Sequence, residues 1–170
     1  MNKLRLVLGL QLLVFAAWGG WLLVSRGGDS PEFYLETSPV DPHDLISGTF
    51  VALDYGISTL SPEPCQRLLA GDGPFFVRLE DRGRTAATKN GPVPVYEATG
   101  CAAQAGQGYG WVRAEPVYLF GGRRSAGYGI ERFFLNENDP RRNARSGAVV
   151  AKVKITGGRR LALLDLVEKI

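Results

Sequence analysis

From Leu6 to Val24 the chain reads LVLGLQLLVFAAWGGWLLV, with Gln11 as its only strongly polar member. Coiled as a helix, this run is apolar on every side and about 28 Å long at about 1.5 Å per residue, close to the hydrocarbon thickness of a bilayer. A cleaved signal peptide has a shorter apolar part, roughly 7 to 15 residues, that ends at a small-x-small site. Ala16-Ala17-Trp18-Gly19-Gly20 supplies small residues and leaves cleavage open, but the length and the bulky Trp18 and Trp21 favour an uncleaved signal anchor over residues 1–25. Lys3 and Arg5 precede the run, whereas Arg26 and Asp29 follow it and offset each other, so the amino terminus is expected in the cytoplasm. Residues 26–31 form a polar linker rich in Gly and Pro, and residues 32–170 a domain on the far side of the membrane.

Charge excludes one class of partner. The formal charge is +3, but without Lys3 and Arg5 the exported part holds 18 basic against 17 acidic residues. Its Arg-rich stretches, Gly121-Gly122-Arg123-Arg124 and Pro140-Arg141-Arg142-Asn143-Ala144-Arg145, lack regular spacing and interleaved aromatics, so they read as solvated loops and no nucleic acid is expected. Cys65 and Cys101 are the only cysteines. An oxidising compartment permits a disulfide between them, although spacing alone does not bring their Cα atoms within reach. Two isolated cysteines and one distant histidine lack the pairing of a metal site, and no cofactor is expected.

Strand signals dominate the domain. Glu32–Leu35 alternates as a first strand, and residues 49–55 place Thr49, Val51, Leu53 and Tyr55 on one face and Phe50, Ala52 and Asp54 on the other. Cys65–Ala70 makes a turn or two of helix before Gly71-Asp72-Gly73-Pro74, and Phe75–Glu80 is the next strand. A polar, turn-rich segment (85–94), a strand over 93–98 and a small-residue stretch (99–110) follow. Trp111–Leu119 and Tyr128–Leu135 read as further strands, residues 136–145 as a short helix or loop, and 148–155 with 159–167 as a hairpin joined across Gly157-Gly158. Seven or eight short strands with hardly any helix predict a mainly β fold, a small antiparallel barrel or sandwich behind one N-terminal transmembrane helix.

Two stretches, GTFVALDY at 48–55 and GIERFF at 129–134, resemble the GDYXXLXY-domain family of bacterial proteins, named for a Gly-Asp-Tyr-x-x-Leu-x-Tyr motif. Gly48, Leu53 and Tyr55 match, whereas Thr49 replaces the Asp and Phe50 the Tyr. The likeness extends upstream through Pro39-Val40-Asp41-Pro42-His43-Asp44-Leu45 and downstream through Gly129-Ile130-Glu131-Arg132, covering the chain from about residue 32 to its end. It implies an inner-membrane accessory part with a periplasmic or extracellular domain, partnered by an integral membrane protein, and no particular activity. Thr49 also shows that an acid at the second motif position is not indispensable chemistry here.

The residues themselves offer two enzymatic readings. Asp41, His43, Asp44, Asp54 and Glu131 supply acid/base groups for a membrane-tethered hydrolase of cell-envelope material, with His43 oriented by a neighbouring carboxylate. Beside Pro39 and Pro42, however, the aspartates are better read as caps of local backbone amides. Ser38-Pro39, a turn and a hydrophobic strand is a layout similar to serine-lysine signal peptidases, but that chemistry needs a lysine in apolar surroundings, and Lys89, Lys152, Lys154 and Lys169 lie in polar or alternating contexts. No catalytic residue is assigned and a non-enzymatic interaction module is favoured. Within the expected strand, Glu131 and Arg132 point to opposite faces, so one of them needs a buried partner such as an arginine or Asp54.

Overall fold

The computed structural model describes residues 2–26, 30–39, 50–119, 122–134 and 145–170, and within the first helix the side chains of residues 5 and 7–22. The chain divides into two units, Met1–Ser30 and Pro31–Ile170. The first carries α1 (Asn2–Arg26). Among the described residues no helix is long and apolar enough to cross a membrane.

The second unit is mainly β. Its strands are β1 (Glu32–Ser38), β2 (Phe50–Ala52), β3 (Asp54–Tyr55), β4 (Phe75–Thr88), β5 (Gly91–Ala102), β6 (Trp111–Tyr118), β7 (Arg124–Gly127), β8 (Arg132–Phe134), β9 (Val149–Ile155) and β10 (Leu161–Glu168). One curled sheet runs β10-β9-β1-β5-β4-β6-β7, with β3 added to β1, and β2 and β8 form a separate pair. The expected barrel or sandwich is thus an open half-barrel. It is not wholly antiparallel either, because β1 and β5 run parallel at Tyr34 and Val95. That pairing joins segments far apart in sequence, which local alternation does not reveal.

Alternation explains how the sheet buries its faces. In β1, Phe33, Leu35 and Thr37 are buried while the residues between them are less so. In β9, Val149, Ala151 and Val153 enter the main core, whereas Val150 enters a second, smaller one with Ala86 and Val95. A strand covered on both faces reads as a continuous apolar run, as Val149-Val150-Ala151 does. The second core lies under the β4/β5 hairpin, whose long arms include the segment read from sequence as polar and turn-rich. The irregularity between Asp81 and Thr85, with Gly83 at φ 79°, bends β4 there. The far end of that hairpin meets the C-terminus: Thr88 bridges Lys169, the Lys89 N–H donates to the Glu168 carbonyl at 3.2 Å, and the Ile170 N–H to the Ala87 carbonyl at 3.1 Å.

Helix α2 (Glu63–Ala70) carries Pro64 in its first turn, where a missing N–H costs nothing, and buries Cys65 and Leu69 one turn apart. Cys65 and Cys101 are joined as a disulfide, Cα atoms 5.1 Å apart, tying α2 to β5. Three strand readings need correction. The strand expected over 49–55 is interrupted at Leu53, because its two halves pair with different partners: β2 with β8 and β3 with β1. Of the strand expected over 128–135, only Arg132–Phe134 is extended among the described residues, since Gly129 turns the chain at φ 79°. Arg124, read as part of a solvated loop, begins β7.

Candidate functional site

The two distinctive stretches of sequence are neighbours in space. Phe50, Val51 and Ala52 pair with Phe134, Phe133 and Arg132, and the Leu53 N–H continues the contact by donating to the Glu131 carbonyl at 2.8 Å. Two tyrosines then cross the joint in opposite directions. The Tyr55 hydroxyl donates to the Ile130 carbonyl at 2.8 Å, and the Tyr128 hydroxyl to the Ile57 carbonyl at 2.7 Å. Both rings are buried, and burial, reinforced by the Glu131 charge, pushes both phenols above their ordinary range. They act as neutral donors.

Glu131 does not occupy a strand face, and among the described residues no arginine is paired with it. It sits in the turn ahead of β8, where its carboxylate accepts the Tyr128 N–H and, at 3.2 Å, the Gly129 N–H. The turn at Gly129 brings those amides round to the acid, which strand geometry would have kept apart. Arg132 lies over the Phe50 ring, 5.2 Å from its centroid. Asp54 likewise accepts a main-chain donor, the N–H of Tyr55 at 2.9 Å, while its own N–H donates to the Ser146 hydroxyl at 3.0 Å. Burial raises the Asp54 carboxyl above its ordinary value; the Tyr55 N–H opposes this and the Glu131 charge adds to it. Leu53 is buried among the core residues. Asp41, His43, Asp44 and Gly48 lie outside the described residues.

With both motifs folded into one joint, the family comparison has a structural meaning: the model of the GDYXXLXY protein family matches residues 13–166. The chain belongs to the GDYXXLXY protein family. In this member the motif is a device for closing the domain, with Leu53 and Tyr55 packed inward and the Tyr55 hydroxyl capping the loop that carries Glu131. No match was found among curated proteins or among solved structures.

Two residues at this joint carried no sequence signal. Ser146 lay between the segment expected to end at Arg145 and the strand expected from Ala148, and Thr37 beyond the expected end of β1. Ser146 donates to the Ser38 carbonyl, and Thr37, fully inside the core, donates to the Val149 carbonyl and accepts the Gly147 N–H at 2.8 Å. Hydroxyl to main-chain bonds across about 100 positions leave no local pattern to read.

Two grooves open elsewhere among the described residues of the β domain. One, of about 230 Å³, opens where β5 leaves β1 and the segment after β3 takes its place; it is lined by Glu36, Ile57, Leu60, Arg84, Tyr96 and Glu97. Arg84 links Glu36 and Glu97 at 2.8 and 2.5 Å, and Lys169 donates to Glu36 at 2.8 Å. The hydrogen bond from Lys169, with the nearby charges of Lys169 and Arg84, holds the Glu36 carboxyl below its ordinary value against the opposing effect of burial. The other groove, of about 370 Å³, lies beside Phe33, Leu79, Tyr96 and Tyr109. Among the described residues no group of three or more His, Cys, Asp or Glu side chains is placed to hold a metal ion. The lysines weighed for serine-lysine chemistry include Lys89, paired with Glu168, and Lys152, paired with Glu32 at 2.5 Å.

Proposed function

We propose that the protein is a membrane-anchored, non-enzymatic accessory module of the bacterial cell envelope, with the amino terminus in the cytoplasm and the β domain outside. The observation that carries this reading is α1: Val7, Leu8, Leu10, Leu12, Leu13, Val14, Phe15, Trp18 and Trp21 are all exposed, and together they occupy every side of the helix. Water does not sustain such a surface, and the run Leu6–Val24 has the length of a bilayer span. The Cys65–Cys101 disulfide fits an oxidising compartment outside the cytoplasm. The partner in this reading is an integral membrane protein.

Fractionation tests the anchor. Full-length protein is expected with membranes, resisting high salt and alkaline carbonate, and a chain lacking Leu6–Val24 in the soluble fraction. A reporter fused after Ile170 should be active if it requires export and silent if it requires the cytoplasm; the reverse pattern overturns the orientation. Cross-linking in intact membranes, followed by purification, should recover a polytopic protein in a defined adduct.

A further inference from the structure

One aromatic side chain of the β domain is held in solvent by structure built around it. Tyr109 is 75% exposed, yet the segment that presents it is fastened at several points. The Arg159 guanidinium donates to the Gly108 carbonyl at 3.1 Å and to the Gly106 carbonyl at 3.3 Å. The Trp111 indole lies so close to Gly106 that a Cβ there would come within 2.7 Å of it. Gly110, at φ 92°, accepts the Leu79 N–H at 2.7 Å and approaches the Leu79 carbonyl so closely that any side chain would clash at 2.5 Å. Arg159 itself has φ 59°, the only described non-glycine residue in the left-handed region. Such a conformation is strained for a residue with a Cβ and persists where the surrounding structure enforces it.

The restraints set Tyr109 at the lip of the 370 Å³ groove, whose floor holds Phe33 and Tyr96, ring centroids 4.8 Å apart, and whose rim holds Glu80 and Asp81. This combines aromatic surface with a few oriented polar groups in a space of ligand size. The two carboxylates are already engaged: Glu80 pairs with Arg78 at 2.6 Å, and Asp81 accepts the Gly83 N–H at 2.8 Å. Arg78 offsets the charge of Glu80, and both carboxylates keep lone pairs that hydroxyl donors can reach. Such acceptors suit a neutral ligand with many hydroxyls, whose C–H faces lie on aromatic rings.

We infer that this groove is a binding site for a neutral saccharide, with Tyr109 and Tyr96 as its stacking surfaces, Glu80 and Asp81 as hydroxyl acceptors, and Arg159 as the residue that positions Tyr109. The site is independent of the membrane reading. The test is a titration of the full-length protein in detergent micelles, with ring-labelled tyrosines followed by NMR. The probes are N,N′-diacetylchitobiose, cellobiose and, as a cation control, choline. At least one disaccharide should shift the Tyr96 and Tyr109 signals saturably, leaving Tyr55 and Tyr128 unmoved. Tyr109→Ala should weaken binding about tenfold, the scale of one lost aromatic contact, and Arg159→Ala by less. Unchanged Tyr55 and Tyr128 signals certify that each variant is folded. Saturable binding of choline without either sugar, no shift with any probe, or undiminished sugar binding by Tyr109→Ala overturns the assignment.

Discussion

The curled sheet is fastened at two places by opposite means. At the motif joint, Tyr55 and Tyr128 are buried and donate to main-chain carbonyls, and Glu131 and Asp54 accept main-chain amides. At the hairpin end, the fastening is a backbone bridge between Thr88 and Lys169, beside a surface network of Lys169, Glu36, Arg84 and Glu97. The difference is one of surroundings. A buried donor removed from its carbonyl leaves that carbonyl without water or partner, whereas a half-buried ion pair at the surface leaves its surviving member within reach of water. The joint therefore makes a particular residue indispensable at each point, and the hairpin end tolerates substitution.

The largest effect is expected at the joint. Tyr55→Phe should cost about 2 kcal/mol, because the buried Ile130 carbonyl loses its donor; Tyr128→Phe should cost a similar amount through Ile57. Since both hold one loop in place, the double variant should depart from additivity, measured by urea denaturation. If each variant loses less than Lys169→Met, the contrast between the two fastenings collapses.

At the hairpin end, Lys169→Met should cost less than about 1 kcal/mol at neutral pH. Its signature is in pH dependence. The Glu36 carboxyl is held below its ordinary 4.5, so its contribution is present above that value and lost as pH falls through the folded-state value. Lys169→Met should flatten that acid loss in a denaturation series from pH 7 to pH 3.

Asp54 provides the smallest effect and the opposite sign. Its carboxyl is raised above the ordinary 3.8, so the stabilising contribution is present below 3.8 and lost as pH rises through the folded-state value. Asp54→Asn keeps an oxygen for the Tyr55 N–H and removes the charge facing Glu131, so it should be slightly more stable than the parent protein at pH 7. The two proteins should converge near pH 3. Lower stability at pH 7 would mean that the ionised carboxylate has a favourable partner.

Apolar periodicity alone determined much of this protein: the all-apolar run before the domain, the inward residues of β1, and the β9/β10 hairpin across Gly157-Gly158, because burial of alternate side chains leaves its mark within a few residues of chain. The family likeness was legible in two short stretches, residues 48–55 and 129–134, without the knowledge that they touch. Only the tertiary structure decided that these stretches pair, that β1 and β5 run parallel, and that the turn at Gly129 gives Glu131 two main-chain amides to accept. It alone pinned Tyr109 at the lip of a groove through Arg159, fifty positions away. A hydrogen bond from a side chain to a distant carbonyl asks only for one donor at the right place, and place is fixed by the packing of the whole sheet rather than by any neighbour in sequence.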